Sequence, residues 1–270
     1  MFLLMDQGNS RCKYLLTSSL GKLQVVDSGV WDNEDFEEKV WHKHLGSFKQ
    51  KGVKRVLVSS VAGNDRKQWF QQLCQEALEI KPQFAESAEM YVSQKLRKLR
   101  NSYATPQALG VDRWLAMIAA FERSEGSFVV IDAGTAITTD WVDAQGWHKG
   151  GHIVASGHLL QRILLVDTGG IAWSASHDGD LKGEVFGENT SAAVATGAEC
   201  MLKGYCFQMV RQLAAKSEET GMTLYITGGD AEVMSDWLKE ATDELELSFE
   251  IDCQPELVLE GLSHWFSMNN

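Results

Sequence analysis

Positive charge is in short supply in this 270-residue chain: 25 Lys and Arg stand against 37 Asp and Glu, a formal net charge of −12 at pH 7. Affinity for nucleic acid rests on clustered cations neutralising phosphates, so no nucleic-acid partner is expected. The one basic cluster, Lys95, Arg97, Lys98 and Arg100, reads as a solvated edge. Cysteine is sparse and unpatterned. Cys12, Cys74, Cys200, Cys206 and Cys253 form no C-x-x-C pair and leave one thiol over in any full pairing, which fits reduced thiols in a cytosol. Long apolar runs are also missing. The run over residues 1–5 is far shorter than the core of a secretion signal and has no basic residues ahead of it. No later stretch reaches membrane-spanning length. The expectation is a soluble, cytoplasmic protein with no membrane partner. His42, His44, His148, His152, His158, His177 and His264 show no metal-ligand spacing with cysteines or carboxylates, which speaks against zinc.

What is present is ordinary globular composition, 44% apolar and 23% charged, in a chain long enough for two domains of roughly 130 residues. Residues 2–5 form an apolar run ending at Asp6, and a polar turn leads to a second strand over 12–17, which predicts a hairpin. A third strand over 22–31, a helix over 33–51, a buried strand over 55–60 and a helix over 65–80 follow. The order then returns. A strand over 128–131 ends at Asp132, and strands over 137–142 and 147–155, helices over 158–166 and 189–216, and a buried strand over 223–227 come after it. Asp6 and Asp132 lie 126 residues apart, each at a strand end and each followed by x-Gly and then Asn or Thr. Such self-similarity predicts an α/β fold in which a mixed sheet flanked by helices is used twice, with halves at 1–117 and 118–270 and a ligand cleft between them. The nine tryptophans, Trp69, Trp114 and Trp237 among them, fall mostly on helical patterns and are assigned to cores.

The segment from Asp6 to Lys13 has the chemistry of a phosphate loop. Gly8 permits a tight turn and close approach of backbone N–H groups to an anion. Asn9 and Ser10 offer hydrogen bonds, Lys13 adds charge, and Asp6 could hold a cation or its water shell. Taken alone, the same residues also suit a plain hairpin turn. The repeat Asp132-Ala133-Gly134-Thr135 shifts the balance toward paired phosphate loops. This pairing resembles the actin-like ATPase and sugar kinase superfamily, built from duplicated ribonuclease H-like domains, and the turn at Gly228-Gly229-Asp230 resembles its adenosine-contacting turn.

The most specific stretch runs from Asn101 to Arg113, in the pattern Asn-x-Tyr-x-x-Pro-x-x-Leu-Gly-x-Asp-Arg. Physically it puts a carboxylate beside a guanidinium at the start of an apolar helix over 114–121, where Asp112 could take a hydroxyl proton, or cap the helix and pair with Arg113. The stretch is similar to the acceptor signature of type III pantothenate kinases, also called the Bvg accessory factor family, and the similarity extends along essentially the whole chain. The resemblance implies ATP-dependent phosphorylation of pantothenate to 4′-phosphopantothenate, the first step of coenzyme A biosynthesis. It makes Asp112 the general base. It assigns Tyr103, Gly110, Val111, Asp112, Arg113 and Thr190 to the pantothenate pocket, and Asp6, Gly8, Asn9, Ser10, Lys13, Gly134, Thr135, Gly228 and Gly229 to ATP. Magnesium is implied near Asp6, a monovalent cation (potassium or ammonium) at Asp132, and a homodimer as the working state. Gly150-Gly151-His152-Ile153 resembles a family strand, but Ala155-Ser156-Gly157 stands where Pro-Gly is usual, which puts the local backbone in question. A non-catalytic regulator on the same fold is the alternative, against which the intact Asp6, Asp112, Arg113 and Asp132 argue. Other superfamily members commonly carry a zinc or iron–sulfur cysteine cluster, which is absent from this sequence.

Overall fold

A computed structural model describes residues 1–32, 38–167, 185–216 and 221–268, without the side chains of 165–167. Residues 33–37 of the expected first helix, and His177, lie outside the described residues. Strand β1 (Phe2–Gln7) turns through Gly8 into β2 (Arg11–Thr17), which runs antiparallel to it with Asp6 opposite Lys13. Strand β3 (Val25–Asp32) pairs outside β2. Helix α1 (Glu38–Lys49) then carries the chain across, so that the buried β4 (Arg55–Ser60) lies parallel to β1 on its other side, with Asp6 opposite Ser59. Helix α2 (Asn64–Leu78) leads to the short β5 (Gln83–Phe84), giving the sheet order β3-β2-β1-β4-β5. Because side chains alternate across a strand, Leu3 and Met5 share one face. On that face they join Trp41, Leu45 and Phe48 of α1 and Phe70 and Leu73 of α2 in one core.

A small ribbon, β6 (Met90–Val92) with β7 (Lys98–Arg100), precedes helix α3 (Val111–Arg123). The remaining elements are β8 (Phe128–Ala133), β9 (Ala136–Val142), β10 (His148–Ala155), α4 (Gly157–Asp167), α5 (Thr190–Lys216), β11 (Thr223–Thr227), α6 (Ala231–Glu244), β12 (Glu250–Cys253) and α7 (Leu257–Met268). The second sheet has the order β10-β9-β8-β11-β12. Strand for strand this is the first sheet again, so the expected mixed sheet used twice is what the chain builds. Elements that sequence periodicity did not reveal are β5, β6, β7, α6, β12 and α7. Most of these strands are two to four residues long, too short to show a period.

By spatial contact the chain falls into two compact units. One is Met1–Val130 with Asp140–Gly150 and Glu256–Asn270; the other is Ile131–Thr139 with Gly151–Pro255. The division expected at 117/118 falls within α3, and the first unit runs on to Val130. In the first unit α7 packs on α3 at very short range. A Cβ at Gly261 would stand 1.8 Å from the Leu115 carbonyl oxygen, so glycine is what lets these helices touch through their backbones. Arg123 and Glu260 close the same contact with two 2.9 Å hydrogen bonds, and the Ser263 hydroxyl accepts the Gly21 N–H at 2.9 Å. The basic cluster is partly engaged within this unit. Arg97 lies over the Phe121 ring and donates to the Phe121 carbonyl, Arg100 lies over Trp147, and Lys95 pairs with Glu125 at 2.6 Å. Trp41 and Trp114 are fully buried, as expected of core residues.

Overpacking a tight contact costs about 1–3 kcal/mol. Gly261→Ala is therefore expected to lower the urea midpoint by that order at unchanged slope, measured by equilibrium unfolding followed by circular dichroism.

Candidate active site

The segment carrying Tyr103 has no regular secondary structure, and the Asn101 side chain ties it locally. Asn101 Nδ2 donates to the carbonyls of Ala88 and Pro106 at 3.2 Å each, and its Oδ1 accepts the Tyr103 N–H at 3.0 Å. After the 3-10 turn Pro106–Ala108, the Ser87 hydroxyl donates to the Leu109 carbonyl at 2.8 Å, and Gly110 opens α3. The helix starts three residues before the expected 114, so Val111, Asp112 and Arg113 form its first turn. Gly110 occupies the cap position and offers no side chain to it. Instead Asp112 Oδ1 accepts the Arg113 N–H at 2.8 Å, satisfying one of the donors a helix start leaves without a partner. A Cβ on Gly110 would lie 2.6 Å from that same oxygen, so glycine there makes room for the Asp112 carboxylate. Burial raises the Asp112 pKa above the ordinary carboxylate value, and the neighbouring Arg113 offsets this only in part.

Asp112 and Arg113 do not pair through their side chains, contrary to the capping-and-pairing arrangement considered from sequence. The Arg113 guanidinium turns to Asp140 on β9, donating from Nε to Oδ2 at 2.8 Å and from Nη2 to Oδ1 at 2.6 Å. Nη1 donates to the Tyr103 hydroxyl at 3.2 Å. His148, at the start of β10, reaches the same carboxylate, with Nε2 2.9 Å from Asp140 Oδ1 and Nδ1 3.0 Å from the Ser102 hydroxyl. The His148 and Tyr103 rings lie nearly parallel, 6.0 Å between centroids. Burial alone would push the Asp140 pKa up. Hydrogen bonds from His148 and Arg113 outweigh it and hold the carboxyl below its usual value. Arg113 is raised for the reciprocal reason, Asp140 overcoming the effect of burial. Asp140, His148 and Ser102 were not singled out in the sequence. Asp140 and His148 lie eight residues apart on either side of a turn, a spacing that a hairpin could have suggested had the turn been used to pair them.

In the second unit the loop after β8 is held by two neighbours. Gly228 has φ of +99°, and a Cβ there would meet the Ala133 carbonyl carbon and oxygen at 2.4 Å, so only glycine fits. The Asp230 N–H donates to that carbonyl at 3.0 Å. From the other side the buried Ser156 hydroxyl donates to the Thr135 carbonyl at 2.8 Å and accepts the Leu159 N–H at 3.3 Å, the bond of an N-cap on α4. Ser156 is thus a cap and a tether in one. Gly134, Thr135, Gly228 and Gly229 are brought together, with Asp132 at the end of the same β8. The loop after β1 is closed by Gly8 N–H to the Arg11 carbonyl at 3.0 Å, and its counterpart by Gly134 N–H to the Ala136 carbonyl at 3.2 Å. Asp6, Gly8, Asn9, Ser10 and Lys13 share that first hairpin. Thr190 is the first residue of α5 and exposed; Asn189 Oδ1 accepts the Ala192 N–H at 2.9 Å, so capping does not account for the threonine.

No group of three or more His, Cys, Asp or Glu among the described residues is arranged to hold a metal ion.

A family model described as type III pantothenate kinase matches residues 2–212. The chain belongs to that family. A type III pantothenate kinase from Cellvibrio japonicus is 32% identical over 271 aligned residues, covering 99% of this chain and 98% of that one. Another from Azotobacter vinelandii is 39% identical over 158 residues, 57% of this chain and 62% of that one. Among solved structures, a 2-dehydro-3-deoxygalactonokinase assigned as such only provisionally, from Sinorhizobium meliloti, superposes with a TM-score of 0.58 at 12% identity, covering 100% and 99% of the two chains. A ROK family protein from Streptococcus pneumoniae gives 0.53 at 10% identity, over 99% and 98%. At such identity these likenesses speak to the fold alone. Together with the repeated strand order they make the fold of this family member a duplicated ribonuclease H-like one, as in actin-like ATPases.

Loss of a side-chain cap costs about 1 kcal/mol. Ser156→Ala is expected to lower stability by that amount in thermal or urea unfolding, because α4 loses its cap and Thr135 its tether.

Proposed function

We propose that this chain phosphorylates pantothenate with ATP, giving 4′-phosphopantothenate and ADP, the first step of coenzyme A biosynthesis. The observation that carries this is the half-buried Asp112 carboxylate. The first turn of α3 and the bare Gly110 fix its place, and the adjacent Arg113 donates to the Tyr103 hydroxyl within the stretch that resembles the family's acceptor signature. Asp112 takes the proton of the acceptor hydroxyl. The freed oxygen pair bonds to the γ-phosphorus, and the bond from that phosphorus to the β,γ-bridging oxygen breaks, its electrons leaving with ADP. Positioning and electrostatic stabilisation supply most of the rate in such transfers.

The phosphates of ATP are assigned to the loops after Asp6 and Asp132, through Gly8, Asn9, Ser10 and Lys13 on one and Gly134 and Thr135 on the other. Gly228 and Gly229 are assigned to its nucleoside side. Asp6 would hold magnesium or its water, and Asp132 a potassium or ammonium ion. When bound, these ions neutralise the charge of the phosphates. Val111 and Thr190 complete the acceptor contacts with Tyr103, Gly110 and Arg113. A homodimer is the proposed working state and the cytoplasm the proposed location. The finding nearest to the second point is that no helix among the described residues is long and apolar enough to cross a membrane.

A general base contributes about 10²–10⁴ in rate. Asp112→Asn is expected to lower kcat by that order with ATP affinity nearly intact, read from coupled ADP release with pantothenate as acceptor. Absence of ADP release by the unaltered protein with ATP, magnesium, potassium and pantothenate would refute the kinase assignment and leave a non-catalytic binder.

The raised pKa of Asp112 sets the sign of two pH effects. Asp112 stays protonated, and idle as a base, to a higher pH than an ordinary aspartate, so the acidic limb of kcat/KM is displaced upward from where an ordinary aspartate would put it and disappears in Asp112→Asn. The folded state also binds this proton more tightly than the unfolded state does, so the ionised carboxylate destabilises the fold at neutral pH, and that penalty fades as pH falls through the raised pKa. Asp112→Asn should therefore melt higher than the parent at pH 7, with the difference shrinking in acid, measured by calorimetry.

A further inference from the structure

We propose that Asp140 and His148 are positioning residues for the acceptor, acting through Arg113 to aim the Tyr103 hydroxyl proton at the bound substrate. The pantothenate kinase assignment supplies the acceptor's identity; the relay itself rests on geometry. The side chains of Arg113, Asp140 and His148 are 6%, 2% and 0% exposed. In such a place every hydrogen-bonding group needs a partner of the right kind. An ionised carboxylate only accepts. His148 Nε2 must therefore donate to Asp140, which in the neutral imidazole leaves Nδ1 as the acceptor of the Ser102 hydroxyl proton.

Direction then passes along the chain of bonds. Asp140, held by His148, takes two N–H groups of the Arg113 fork and so fixes the plane of the guanidinium. That plane sends Nη1–H to the Tyr103 oxygen. Since the tyrosine oxygen accepts there, its own proton points elsewhere and is available to a polar atom of the acceptor. The His148 ring, parallel to that of Tyr103, limits tilting of the phenol. Ser102, His148 and Asp140 also have the residue types of a nucleophile relay. Both oxygens of Asp140 are, however, already engaged by the Arg113 fork, and the triad orients rather than activates.

The test compares His148→Ala, His148→Gln and Asp140→Asn in steady-state kinetics, with thermal melting alongside. Losing outer partners of a binding group costs about 10–100-fold in affinity. His148→Ala is expected to raise the pantothenate KM about tenfold while the ATP KM stays within about twofold. Glutamine can place an N–H where Nε2 stood, so His148→Gln should recover most of the loss. Asp140→Asn leaves a buried guanidinium short of its counter-charge and can fail to fold; the histidine pair keeps the proposal open to refutation. Equal shifts in both KM values, or a His148→Gln that matches His148→Ala, would overturn it. A second readout needs no acceptor: in ¹⁵N-labelled protein the Arg113 Nε–H should exchange slowly in the parent and in His148→Gln and quickly in His148→Ala. Unchanged protection in His148→Ala sinks the relay even if pantothenate proves to be the wrong acceptor. Lost protection with no turnover of pantothenate upholds the relay and discards the acceptor assignment.

Discussion

A buried ion pair, Arg113 with Asp140, organises the surroundings of Asp112 and Tyr103. Removing two charges from water costs more than their attraction returns unless the remaining donors and acceptors are also satisfied. Here they are satisfied closely. The fork of the guanidinium matches the carboxylate in two bonds, His148 supplies a third donor to Asp140, and Tyr103 accepts from the other arm of Arg113. The pair spans 27 residues of sequence and ties the first turn of α3 to β9, while His148 extends the tie to β10. Asp112, next in the chain to Arg113, inherits a fixed position from this arrangement and takes no part in the pairing.

Around the phosphate-type loops the constraint is space rather than charge. Gly228 lies against the backbone of Ala133 where no side chain could enter, and Ser156 holds Thr135 from the opposite side. In the first sheet β4, the topological counterpart of β11, is followed by Val61 and Ala62, whereas β11 is followed by Gly228 and Gly229. The two copies share strand order and turn chemistry, yet each is fastened by residues of its own.

Stability and chemistry pull apart at Asp112. A carboxylate kept partly from water, with a cation nearby but not paired to it, is poorly placed for stability, and its raised pKa makes it a better proton acceptor than an ordinary aspartate. The surrounding structure offsets this with contacts remote from the reaction, above all the backbone-to-backbone approach of α7 and α3 at Gly261 and the aromatic core around Trp41.

Sequence alone determined much of the framework. The stretches 56–58 and 224–226 are apolar without alternation because both faces of those strands are covered, and the expected strand bounds, 55–60 and 223–227, are those observed. The repeat of Asp6-x-Gly8 as Asp132-x-Gly134 disclosed the duplication, and the stretch from Asn101 to Arg113 disclosed the family, because turn chemistry and motif spacing are local. Tertiary structure decided the partners. That Arg113 would choose Asp140 over the adjacent Asp112, that His148 would be a buried orienting group, that Ser156 would tether Thr135, and that residues 257–268 would return to pack on α3 all depend on contacts between residues far apart in the chain. Periodicity reports which face of an element is apolar; it carries no information about which distant polar atom will be within 3 Å of another once the chain has closed on itself.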